Sequence, residues 1–155
     1  MSLIVSTVLA SVLCIAVSMY ILSDAEGVER WLFVLPLLVV VGAALFTVRG
    51  YALTPEFLRV YRLLWSTRVP LAGLQSAEYD PHAVYKAARS FGNGGLFSIS
   101  GYFRSKTIGK YRAFISHPSL AVVLRFPDHI VVVSPGIPAD FIKQLRELGL
   151  LPDKE

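Results

Sequence analysis

Twenty consecutive residues without a charge, LIVSTVLASVLCIAVSMYIL at positions 3–22, restrict the folding of this chain more than any other feature. At about 1.5 Å per residue, a helix of that length matches the roughly 30 Å hydrocarbon layer of a bilayer. A second uncharged run of 18 residues, WLFVLPLLVVVGAALFTV, follows at 31–48. Together they lift the hydrophobic content of the 155 residues to 54%, above that of an ordinary soluble domain. The expectation is a transmembrane helical hairpin over residues 1–48, with spans at about 3–22 and 31–48. A cleavable signal peptide fits less well, because no Lys or Arg precedes the first run and its apolar core exceeds the usual 7 to 15 or so residues. A lipid anchor at Cys14, the only cysteine, is disfavoured by the bulky Leu13 before it.

Charge gives the hairpin a direction. The connector SDAEGVER carries Asp24, Glu26 and Glu29 against Arg30, a net −2, whereas residues 49–155 hold 14 Lys or Arg and 8 Asp or Glu, a net +6. Basic segments resist translocation, so both termini are expected in the cytoplasm. Tyr20 and Trp31 then fall at the outer interface and Tyr51 just past the inner one. Ala10, Cys14 and Ser18 form a small-residue row suited to close helix packing. Neither run contains a charge, which disfavours a transporter or proton relay.

Residues 49–155 read as one domain of common size. A turn at Thr54, Pro55 and Glu56 precedes a strand from Phe57 to about Leu64. TRVPL continues as an edge-like piece, since Pro70 cannot donate to a central ladder. LQSAEY is a weaker strand. YRAFIS, AVVLRF and HIVVVS are three β-rich runs, the last two joined by a turn at Pro127 and Asp128, and they suggest an antiparallel meander. In PADFIKQLRELG, Pro138 suits the first helical position, Asp140 favours the dipole and Gly149 stops the helix. Phe141, Leu145 and Leu148 give that helix an apolar stripe. Strands closed by one amphipathic helix indicate a small sandwich or barrel capped by the helix.

Several segments, YALTPEFLRVYRLLWSTRVPL, SFGNGGLF with the later GKYRAF, HIVVVSP and PADFIKQL, together resemble bacterial pleckstrin-homology-like (PH-like) domain proteins with two N-terminal transmembrane helices. The resemblance covers about residues 50–148. It implies a membrane-anchored α+β protein at the bacterial inner membrane, in which about seven strands form two near-orthogonal sheets plugged by the C-terminal helix. Eukaryotic lipid-binding members hold inositol phosphates with basic residues on the first hairpin loop. Here that loop is short and carries no cation, although Arg59 and Arg62 follow it.

Catalytic signatures are missing. GNGG lacks the G-x-G-x-x-G spacing, and IGKYR lacks the Ser or Thr that follows a Walker lysine. Ser98 and Ser100 form no nucleophile elbow, and His82, His117 and His129 stand apart. No enzyme activity, cofactor or metal is expected. Residues 89–112 combine five glycines, five Lys or Arg and five aromatics with no carboxylate. One reading is a structural hairpin. The other is a membrane-facing or partner-facing binding surface, with Phe91, Leu96, Phe97, Tyr102 and Phe103 as its apolar part and Arg89, Arg104, Lys106, Lys110 and Arg112 toward anionic headgroups, each cation worth about 1 kcal/mol near such a surface. The expected partners are membrane lipids and another membrane or cytoplasmic protein; nucleic acid is not expected, and a homo-oligomer stays open. The function expected is a non-enzymatic module binding a protein or lipid headgroups at the cytoplasmic membrane face. The alternative is an accessory structural subunit of an inner-membrane complex, held mainly through the hairpin.

Overall fold

The computed structural model describes residues 3–24, 34–85, 87–94 and 98–151. Helices α1 (Leu3–Asp24) and α2 (Val34–Leu45) come first. Nine strands follow among the described residues: β1 (Gly50–Leu53), β2 (Phe57–Tyr61), β3 (Ser66–Pro70), β4 (Ser76–Tyr79), β5 (Ala88–Gly94), β6 (Ile99–Ser105), β7 (Gly109–Ile115), β8 (Val122–Arg125) and β9 (Ile130–Val133). Helix α3 (Pro138–Glu147) ends the fold.

The N-terminal helices pack on each other, with Ala10, Cys14 and Ser18 on the less exposed face of α1. Among the described residues, however, no helix is long and apolar enough to cross a membrane. This overturns the expected transmembrane hairpin and, with it, the multi-pass inner-membrane location with cytoplasmic termini. The second apolar run shows the physical reason. Among its described residues, 34–48, only 12 are helical in α2, about 18 Å of rise against the roughly 30 Å required. After Leu45 the amides of Phe46 and Thr47 turn back to the carbonyls of Ala43 and Ala44, at 3.2 and 3.1 Å. Val48 is then buried in the β-domain. The end of the run therefore serves the sandwich. Trp31 lies outside the described residues.

The strands form an antiparallel sheet of three, β1-β2-β3, and a sheet of six ordered β4-β8-β9-β7-β6-β5. This is nine strands rather than the implied seven, with β4 and β5 forming the two edges of the larger sheet. The expected meander is also corrected, because β7 and β9 are parallel neighbours and β8 lies beyond β9. A tight turn does join β8 to β9, where the Phe126 amide donates to the His129 carbonyl at 3.0 Å. Between β7 and β8, by contrast, a 3-10 turn at Pro118–Leu120 carries the chain away from hairpin geometry. The strand leaving it pairs first with β4.

Two hydrophobic clusters explain why Val122 to Leu124 and Val131 to Val133 are buried without alternation. One face of the large sheet presents Phe114, Val122, Leu124, Val131 and Val133 to Leu58, Val60 and Val69 of the small sheet and to Phe141 and Leu145 of α3. The other face presents Phe103, Tyr111, Ala113, Ile115, Val123 and Val132, covered by Ala83 and Ile108. A sheet covered on both sides needs apolar residues at successive positions. Pro138 opens α3 as expected, and Gly149, at φ +67°, ends it while the Leu150 amide returns to the Leu145 carbonyl at 3.0 Å. A PH-like β-sandwich closed by a C-terminal helix fits this architecture.

Candidate functional site

Side chains alternate along a strand, so the inward row of β2, Leu58 and Val60, continues to position 62. There the sequence places an arginine. The strand has ended at Tyr61, and the chain reverses with the Arg62 amide donating to the Trp65 carbonyl at 2.9 Å. On β7 the inward row runs from Phe114 back to Arg112, which lie opposite Ser100 and Tyr102 of β6. Both arginines thus stand one step beyond the core at the same end of the sandwich.

Cations and rings alternate there. The Arg62 guanidinium lies 5.4 Å from the Phe114 ring centroid, 5.4 Å from that of Phe46 and 5.7 Å from that of Trp65. Arg112 approaches the same Phe114 ring at 4.8 Å and the Tyr102 ring at 5.6 Å. Phe46 and Trp65 meet edge to face at 5.2 Å, and Ser98 donates to the Phe46 carbonyl at 3.1 Å. Arg62 Nη2 donates to Ser100 Oγ at 2.9 Å. Each cation–ring contact contributes about 0.5–1 kcal/mol when exposed and about 2 when desolvated.

Charge balance is what distinguishes this place. Neither Arg62 nor Arg112 pairs with a carboxylate among the described residues. Arg62 Nε is buried and has no hydrogen-bond partner. Burial, and secondarily the charge of Arg112, lowers the pKa of Arg62 below its ordinary value. Between Asp80 and Asp128 the sequence holds seven Lys or Arg and no Asp or Glu. A second arginine pair, Arg59 and Arg68, lies cross-strand on β2 and β3 and brackets the Phe57 ring at 5.5 and 5.3 Å. This pair follows the outward row, where water screens it.

The residues singled out from the sequence distribute as follows. Tyr102, Arg104, Lys110 and Arg112 share one face of the β6–β7 pair, with Arg104 opposite Lys110. Lys106 is exposed in the turn. Phe103 is buried on the opposite face, stacked on Tyr111 at 5.9 Å. The backbones of Arg89 and Phe91 belong to β5, while their side chains and all of Leu96 and Phe97 lie outside what the structure describes. Sequence reasoning missed Phe46, Arg62, Trp65, Ser100 and Phe114 as members of one site. The parity of Arg62 with Leu58 and Val60 is the signal that could have found it.

Donors and positive charge converge here, and the arrangement can hold a negative group. Among the described residues no three His, Cys, Asp or Glu come close enough to hold a metal ion. A separate cleft beside β1 and the start of α3 is lined by Arg49, Tyr51, Ser116, His117, Ser134 and Asp140. There Ser134 Oγ accepts from the amides of Ser116 and His117 at 2.9 and 3.2 Å, a use of its hydroxyl that is structural.

No curated protein and no solved structure matches the chain. Residues 49–149 match a family model described as Bacterial PH domain, over two strand layers and a terminal helix that the structure bears out. The chain belongs to the bacterial PH domain family.

Proposed function

We propose that this protein is a non-catalytic binding module whose β6–β7 face receives anionic lipid headgroups. PH domains are generally binding modules without catalytic activity, and the family assignment supports that part of the reading. The single observation carrying the rest is the face itself, where Arg104, Lys110 and Arg112, with Lys106 at the turn, have no carboxylate neighbour on either strand. Arg104 and Lys110 sit directly across from each other. Like charges in that position destabilise a sheet, so the pairing works against the fold and favours an anion over it.

The test uses the full chain with neutral vesicles and with vesicles containing phosphatidylglycerol, compared by flotation. Binding to neutral vesicles measures what the exposed apolar helices contribute, and the increment with anionic lipid measures the charged face. Changing Arg104, Lys106 and Lys110 together to Gln removes three cations at about 1 kcal/mol each, which weakens the increment roughly 100-fold. An unchanged increment refutes the headgroup reading. It also favours a second reading, a protein partner, which the exposed Leu9 and Leu13 on α1 and Leu35 and Leu38 on α2 support as uncovered apolar side chains.

A further inference from the structure

We propose that the open end of the sandwich seats one phosphate monoester group between Arg62 and Arg112, a proposal that rests on the headgroup reading and gives it a specific receptor. The two guanidinium groups approach one ring at 5.4 and 4.8 Å, so their charges are at most about 10 Å apart, within roughly one Debye length. Rings of Phe46, Trp65, Phe114 and Tyr102 lie against them, and both arginines are half-buried. Two cations so close, with no carboxylate between them and partly withdrawn from water, repel each other more than an exposed pair does. A monoester, carrying between one and two negative charges near neutral pH, balances the pair better than a phosphodiester or a carboxylate with one.

Chemistry selects the same group. The guanidinium fork donates two parallel hydrogen bonds to phosphate oxygens, which a lysine cannot do. Ser100 already holds Nη2 of the Arg62 fork at 2.9 Å, and Nε on the same edge is a buried donor lacking an acceptor. A phosphate oxygen supplies that acceptor once Trp65 shifts. Trp65 is 39% exposed and lies in the turn before β3, so it is the wall able to move. This location differs from the first hairpin loop, whose Thr54, Pro55 and Glu56 hold no cation.

Trp65 also provides the readout. In full-length chain carrying Trp31→Phe, Trp65 is the remaining tryptophan. Its emission is followed during titration with inorganic phosphate and, in parallel, with chloride at equal ionic strength. A saturable change with phosphate alone is expected, weakened at least tenfold by Arg62→Met and, independently, by Arg112→Met, but not by Arg68→Gln on β3. A response that does not saturate, that chloride reproduces, or that both methionine variants retain overturns the proposal. Vesicles containing phosphatidic acid, matched in surface charge to phosphatidylglycerol vesicles, separate the sources. Half-saturation at tenfold lower phosphate in the lipid arm identifies a headgroup, and equal half-saturation identifies free phosphate; either result supports the seat. Charge-dependent vesicle binding with a silent Trp65 leaves the surface reading standing and removes the seat alone.

Discussion

Replacing Tyr51 by Phe removes one oxygen and tests what joins the two sheets. Tyr51 belongs to β1 of the small sheet, yet its hydroxyl donates to the Phe114 carbonyl of the large sheet at 2.5 Å. The same oxygen accepts from the Ser134 amide at 3.1 Å and lies 3.3 Å from Ser134 Oγ. Burial raises the pKa of this phenol above its ordinary value, although its hydrogen bonds with Ser134 and Ser116 pull the other way. Phe keeps the ring and leaves the Ser134 amide without its partner inside the protein. An orphaned buried donor costs about 1–3 kcal/mol, and the lost bond to the carbonyl adds about 1, so the expected loss is about 2–4 kcal/mol. In a domain of about 100 residues this lowers Tm by roughly 10–20 °C. Urea unfolding of the full chain, followed by circular dichroism with the slope checked for constancy, measures it. Tyr61→Phe, at an exposed position, is the control and should change stability by less than about 0.5 kcal/mol. A Tyr51→Phe loss no larger than the control refutes the reasoning. A double-mutant cycle with Ser134→Ala should return a coupling of about 0.5–3 kcal/mol, because the two side chains touch.

Tyr111→Phe should behave oppositely. Its hydroxyl is buried without a partner, and removing it should be neutral or stabilising by about 1 kcal/mol in the same urea assay. Burial pushes its pKa up to about 12, above the unfolded value, so the native state holds this proton more tightly. Its ionisation therefore leaves stability unchanged below about pH 10 and lowers it as pH rises from there toward 12; Tyr111→Phe should flatten that decline, and an unchanged slope contradicts the assignment. Gly109→Ala places a side chain at φ +77° in the β6–β7 turn, where no atom lies within 4 Å of the new Cβ. The cost is backbone strain alone, about 1 kcal/mol by thermal unfolding, and a loss above about 3 indicates a clash that this turn does not contain.

The β-domain was legible wherever local chemistry decided it. Pro138 and Gly149 bracket α3, Pro127 and Asp128 make the β8–β9 turn, and the inward parity of Leu58 and Val60 follows from alternation alone. Strand order was not legible, because nothing local tells β9 to sit beside β7 in parallel. That choice depends on contacts between residues distant in sequence, such as Phe114 with Val133. The N-terminal expectation failed for a related reason. An uncharged run reports that apolar residues are adjacent, without reporting which share a helix, and Phe46 and Val48 leave theirs to serve the domain.

The candidate site shows the same limit in another form. Arg112 was visible as one cation in a basic hairpin, but what sets it apart is Phe114 two positions later and Arg62 fifty positions earlier, brought to one ring. Five cations on a solvated hairpin are interchangeable to a first approximation, since water screens each of them. Two cations walled by aromatic rings are not. Arg59 and Arg68 provide the internal comparison: they also bracket a ring, but on the outward row, where repulsion is screened and no donor is orphaned. Of these four arginines, Arg62 combines desolvation, repulsion from Arg112 and an unmet donor. An anion answers all three at once, whereas a neutral acceptor meets only the donor, and that difference assigns ligand chemistry to the inward pair and general surface attraction to the rest.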